Sequence, residues 1–464
     1  MIRLLISSVG IKAASAVLEL VIQLLITRTI GVTGYGNYSF YVNAIEIAYW
    51  LLFSGLVKCN TFYLADNGVS IARFKRKYYC RYMLPVLAVF CVLSIVFRQW
   101  MYLLSAGALV LYFFAFDQSS EFLARGRGMT FLAGEYLVGR VVFILLLSVF
   151  LALRLEQLGW LLFLYGLQYG VVLLWFRLHR KKIALPNRRE EPVSLGKLWQ
   201  YQQSDMAYGL IGQAPVILQY LFVGAYETGF VGIVIVVKKL VNFISGPTAK
   251  IFLPEFSRLY RQNRVEEIRR FFRTIIQIQM LFVSAVAVAL LGFSELVLRL
   301  FSPELLDQAP LFRMVAAGFL LVASLGPGAG LMQMTGQEKL ENRMRWGTIA
   351  LMFLIWFVMR GNRFFALYGL CAQAIAEGVF KYFLVCRWFK KAPISIFQYC
   401  LLWLPAAAVC LTVRLLNLGD SFPALVLSCG ACIALTGGIL LIRRDVRLRV
   451  RAALRKWRGE GKRE

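Results

Sequence analysis

Lysines and carboxylates in the middle of apolar runs are where this sequence could do chemistry. The run 4–26 carries Lys12, Glu19 and Gln23, and the next one carries Asn43 and Glu46. On a helix, positions 12, 16, 19 and 23 fall on one stripe, so both charges and the amide share a face. An ionisable group at mid-bilayer costs several kcal/mol unless it faces protein or water, so the stripe is expected to line an interior cavity. The alternative is a pair of charges that neutralise each other between packed helices. A later run holds Lys238, Lys239, Asn242, Gly246, Pro247 and Lys250. Positions 239, 242, 246 and 250 make one face there, and Pro247 is expected to kink the helix. Gln373, Glu377 and Lys381 stand at i, i+4 and i+8, a ready intrahelical ion pair. Glu135 and Arg140 are five apart, which puts them on different faces of a regular helix.

Over these runs cations outnumber anions: Lys12, Arg140, Lys238, Lys239, Lys250 and Lys381 against Glu19, Glu46, Glu135 and Glu377. A positive interior concentrates an anionic substrate, and ammonium and guanidinium groups suit phosphate oxygens. Protonatable carboxylates in the same cavity could couple transport to an H+ or Na+ gradient.

The elements that must position these residues are membrane spans. The chain of 464 residues is 59% hydrophobic and 16% charged, too little charge for a soluble protein of this length. The formal charge of +28 sits between the apolar runs and at the C-terminus, which argues against nucleic-acid binding. Nine scattered cysteines and a single histidine, His179, give no expectation of disulfides, a metal site or a cofactor. The first run has no small-residue cleavage site and is read as a retained span. There is no Walker A sequence and no GxSxG, so the chain is not expected to be an enzyme.

At roughly 20 apolar residues per span, about fourteen candidates emerge, with twelve as the lower count. They are 4–26, 38–57, 82–97, 101–122, 131–152, 157–176, 206–226, 229–252, 274–298, 312–334, 346–360, 364–386, 396–416 and 422–442. Basic loops alternate with loops poor in Lys and Arg, which predicts both termini in the cytoplasm. Gly31-Val32-Thr33-Gly34-Tyr35-Gly36 has an echo in Gly224-Ala225-Tyr226-Glu227-Thr228-Gly229. That spacing suggests a six-plus-six repeat about a basic linker. The expected division is a bundle over 1–177, a linker over 178–204, a second bundle over 205–386, two further helices over 387–442 and a basic tail over 443–464.

Four segments carry a family resemblance. They are Arg28-Thr29-Ile30-Gly31 running into Gly34-Tyr35-Gly36, Pro254 followed by Ser257-Arg258-Leu259, Leu300-Phe301-Ser302-Pro303-Glu304-Leu305, and Gly330-Leu331-Met332-Gln333-Met334-Thr335-Gly336-Gln337. With these the chain resembles the polysaccharide-unit flippases of the multidrug/oligosaccharidyl-lipid/polysaccharide exporter superfamily. The resemblance covers about residues 1–345. It implies an all-α polytopic protein of two six-helix bundles in a V plus two C-terminal helices, working by alternating access. The implied substrate is an undecaprenyl-diphosphate-linked oligosaccharide, moved from the cytoplasmic to the outer leaflet of a bacterial inner membrane. Lys12, Lys238 and Lys239 would meet the diphosphate, with Arg140 and Asn242 in the same cavity. Glu19, Glu46 and Glu377 would couple an ion, and Arg28, Gly31, Gly36, Pro247 and Pro254 would serve structure or gating. Membrane lipids and polysaccharide-assembly proteins are the implied partners. The arginine-rich first spans of lipid II flippases are not reproduced here. Competing readings are a cation-coupled drug antiporter of the same superfamily, which would prefer an acidic cavity, and a polysaccharide polymerase or glycosyltransferase. The latter would need larger outer loops.

Overall fold

A computed structural model gives the architecture for residues 2–64, 69–125, 127–154, 157–180, 189–190, 193 and 195–442. The side chains of 2–9, 12–13, 242–255 and 257–258, among others, lie outside this description. Lys12, Asn242, Pro247 and Pro254 are therefore on helical backbone, but their surroundings fall outside the described residues.

The chain is an all-α polytopic membrane protein. Its helices are α1 (Ile2–Leu52), α2 (Ser54–Tyr63), α3 (Ala72–Val96), α4 (Met101–Ala124), α5 (Gly128–Leu132), α6 (Gly139–Ala152), α7 (Leu158–Arg180), α8 (Leu195–Phe222) and α9 (Ala225–Arg261). They continue as α10 (Val265–Ala287), α11 (Ser294–Phe301), α12 (Ala309–Ser324), α13 (Gly328–Met334), α14 (Glu338–Val358), α15 (Phe365–Trp388), α16 (Ile396–Leu415) and α17 (Phe422–Ile442). Helices dominate because hydrocarbon offers backbone groups no water, so every N–H and C=O has to be satisfied within the segment. Among the described residues, ten helical stretches are long and apolar enough to cross a membrane. The one extended pairing described is a two-residue parallel match of Val69–Ser70 with Arg189–Glu190.

The short connector that the sequence suggests at 28–38 is helical on both sides, and α1 is broken only at Gly31 (φ 69°). A non-glycine residue would be strained there. Thr27 and Thr29 return their hydroxyls to the carbonyls of Gln23 and Leu25, which carries helical bonding up to the break.

Two compact units divide the chain. One comprises residues 1–236 with 345–370, and the other 237–344 with 371–464. This differs from the expected division at 178–204, because α8 packs along α1 and α2. Gln202 donates to Trp50 O and accepts from Gly55 N, and Lys58 pairs with Asp205 at 2.6 Å. From Arg345 onward α14 belongs to the first unit, where Arg345 is fully buried, lies over the Tyr208 ring and donates to its hydroxyl.

The first unit has an aromatic core in which Tyr49, Tyr112, Phe116 and Tyr169 meet in edge and tilted contacts. Its α4 and α7 approach closely at small residues, with Gly166 against Ala108, as packing without a hydrophobic drive between helices requires. The second unit is built on Phe256, Phe272, Ile276, Met280, Val385 and Leu402 from α9, α10, α15 and α16.

Candidate functional site

In the first unit Glu19 of α1 receives Arg140 of α6 at 3.0 Å and Gln23 at 3.3 Å. Both charged side chains are about a quarter exposed (25% and 27%), a placement that favours pairing over isolation. Arg140 reaches Glu19 from just beyond a π-helical turn at Ala133–Val138. Across that turn Arg140 also donates to the Glu135 carbonyl at 3.5 Å, while the Glu135 side chain accepts from Ser119 at 3.2 Å. A π-turn at a charged position inside a membrane helix is a common mark of function. Arg140, expected against the anion, has its charge engaged by Glu19.

Glu46, on the second arm of α1, is served by neutral donors. Gln213 of α8 donates at 2.6 Å and the Tyr165 hydroxyl of α7 at 3.3 Å. Among the described residues it makes no ion pair. An interior carboxylate held by neutral hydrogen bonds can take up a proton or a cation without first losing an internal partner.

The two echoed glycine segments pack on each other. A Cβ on Gly36 would stand 1.7 Å from Ala225 O and 2.9 Å from Gly229 N, and one on Gly229 would stand 2.2 Å from Val32 O. Each segment also has a glycine at positive φ, Gly31 at 69° and Gly224 at 139°. Glycine lets the backbones of α1 and α9 touch where any side chain would hold them apart. Tyr220 closes the crossing by stacking on Phe40 (4.2 Å) and donating to Asn37 at 2.8 Å. A further tie is Arg363 on Glu227 at 2.6 Å, with Gln219 bonded to the Arg363 carbonyl at 2.5 Å. Arg28 is exposed on α1 shortly before the break.

In the second unit Lys238 of α9 is half-buried, with its ammonium 5.6 Å from the Phe319 ring centre. Lys239 is exposed. Among the described residues neither makes an ion pair. Glu377 of α15 accepts from Gln373 at 2.5 Å and pairs with Lys381, the local pairing that the i+4 spacing predicts. Lys381 also meets Glu341 of α14 at 3.7 Å, and that residue is only 1% exposed. Lys381, like Arg140, is thus neutralised from within.

Two clusters escaped the sequence reading. Lys75 of α3 lies between Asp117 (2.9 Å) and Glu121 (2.7 Å) of α4, with Asn60 donating to Asp117 at 2.7 Å. The i, i+4 carboxylates at 117 and 121 inside an apolar run were a visible signal, but Lys75 reads as part of a topological basic loop. Arg345 gave no signal of burial, since it opens an apolar run just after Lys339 and Arg343.

No family model and no characterised protein matches the sequence. The fold, by contrast, is similar to those of several solved membrane proteins. The lipid II flippase MurJ in an inward closed conformation is similar over 95% of this chain and 99% of that one, with a TM-score of 0.66 at 12% identity. An inward-facing multidrug resistance MATE family transporter of the MOP superfamily is similar over 81% and 98%, with a TM-score of 0.57 at 12% identity. The MATE multidrug transporter DinF-BH is similar over 83% and 95%, with a TM-score of 0.52 at 14% identity.

Proposed function

We propose that this chain is a flippase for undecaprenyl-diphosphate-linked oligosaccharide repeat units in a bacterial inner membrane. It would carry them from the cytoplasmic to the outer leaflet by ion-coupled alternating access, through fourteen spans with both termini cytoplasmic, in cell-surface polysaccharide synthesis. The observation that carries this reading is an asymmetry of compensation. Arg140, Lys381 and Lys75 are matched by carboxylates, whereas Lys238 and Lys239 have no ion pair among the described residues. Ammonium groups without an ion pair, one half-buried and one exposed, suit a diphosphate, whose oxygens accept charge-assisted hydrogen bonds. Lys12 and Asn242 belong to the same proposal, while Arg140 is assigned to holding Glu19. Glu46, Glu19 and Glu377 are the coupling candidates, with Glu46 first because its donors are neutral. Membrane lipids, H+ or Na+, and polysaccharide-assembly proteins are the proposed partners.

Binding of an undecaprenyl-diphosphate oligosaccharide to the purified protein tests this. Lys238→Ala/Lys239→Ala should weaken it by about 10- to 100-fold, the loss of charge-assisted bonds of roughly 1.5–3 kcal/mol. Unchanged binding by a folded double variant removes the lysines from the site. A second reading, a cation-coupled drug antiporter, is favoured by Glu46, which could accept a cationic compound. Export of cationic dyes that depends on Glu46, with no binding of the lipid-linked glycan, would select it.

A further inference from the structure

Away from Lys238 and Lys239, the first unit holds a cavity of about 400 Å3 at one end of α3, α4 and α7. Arg76 enters it from the first turns of α3, and Arg177 and Arg180 from the last turn of α7. All three are exposed, and none makes an ion pair among the described residues. The floor is the Lys75 cluster, already balanced by Asp117 and Glu121. Four basic groups thus face two carboxylates across one space, so the lining carries a net positive charge. Gathering like charges around a cavity is unfavourable unless something anionic sits among them. Two neutral groups complete the wall. Tyr79 brings a phenol, and Gln118 has a side-chain oxygen that is buried and without a hydrogen-bond partner among the described residues. Ala72, the first residue of α3, also borders the cavity, so the positive end of a 25-residue helix faces the same space.

We propose that this cavity binds a phosphate-bearing anion, and that its source is the headgroup of an anionic phospholipid in the adjoining leaflet. Guanidinium groups match phosphate oxygens in bidentate geometry, and the volume falls within the roughly 300–1,000 Å3 of small-molecule sites. The lipid source follows from position. The three lining helices are each long and apolar enough to span a bilayer, and the cavity lies at their ends, where headgroups stand. Phe114 adds an apolar side suited to the part of the lipid next to its acyl chains. This site shares no residue with the Lys238 region, so it stands or falls independently of the transported substrate.

The test is native mass spectrometry of the full chain in detergent, titrated separately with phosphatidylglycerol, phosphatidylcholine and inorganic phosphate. Arg177→Gln/Arg180→Gln is compared with Lys390→Gln/Lys391→Gln, an exposed pair elsewhere that loses the same charge. Both double variants change exposed residues only, so thermal unfolding should match wild type. The expected result is retention of phosphatidylglycerol over phosphatidylcholine, weakened roughly 30-fold in the arginine variant and unchanged in the lysine variant. Equal retention in the two variants would overturn the site. Inorganic phosphate that competes phosphatidylglycerol off only at high excess supports the lipid source. Phosphate that binds as tightly as the lipid would keep the anion chemistry but overturn the assignment to a headgroup.

Discussion

Lys75→Ala should destabilise the protein by about 3–5 kcal/mol, because it strips the cation from a buried site and leaves two carboxylates facing each other. The lysine and Asp117 side chains are only 9% and 8% exposed, so water cannot replace the missing charge. Asn60, which donates to Asp117, can satisfy one oxygen but cannot supply charge. The loss should be largely recovered in Lys75→Ala/Asp117→Asn/Glu121→Gln, since removing both sides of a buried pair is far milder than removing one. Thermal unfolding in detergent reads both variants. A triple variant no better than the single one would mean that Lys75 acts through packing.

Gly36→Ala should be nearly as damaging, although it adds a single methyl group. That methyl would fall 1.7 Å from the Ala225 carbonyl oxygen, and backbone cannot rotate away as a side chain can. Overpacking costs typically about 1–3 kcal/mol, and more where the obstacle is main chain. Because this crossing ties α1 to α9, the variant should also populate a form in which the two segments have parted. A cysteine pair placed across the crossing should therefore cross-link readily in the parent and poorly in the Gly36→Ala background. Gly107→Ala is the control, since nothing lies within 4 Å of the added atom. Equal cross-linking in the two backgrounds would show that the helices absorb the methyl group locally.

The sequence was most legible where the information is local. Apolar runs marked the helices, and the i+4 spacing of Glu377 and Lys381 marked their ion pair. The doubled glycines marked two segments as a repeat, though not that the two would pack on each other. Partners far apart in sequence were not legible. Helical periodicity puts Glu19 on an interior face, but it cannot reveal Arg140, 121 residues away, as the group that meets it there. For the same reason the excess of interior cations read as one positive cavity, whereas Arg140 and Lys381 are each neutralised. The connector at 28–38 misled because its glycines outweighed the demand that a chain in hydrocarbon keep its backbone bonded. Arg345 was illegible for a related reason: a lone cation at the start of an apolar run looks like a topological signal until its aromatic partner, Tyr208, is in place.

The most direct test of the central claim is flipping of a fluorescent undecaprenyl-diphosphate oligosaccharide by protein reconstituted in vesicles. Wild type should move the lipid-linked glycan across the bilayer, and Lys238→Ala/Lys239→Ala should lose that movement while unfolding at the same temperature. Undiminished flipping by the double variant, or transport of cationic dyes with no flipping by wild type, would contradict the account.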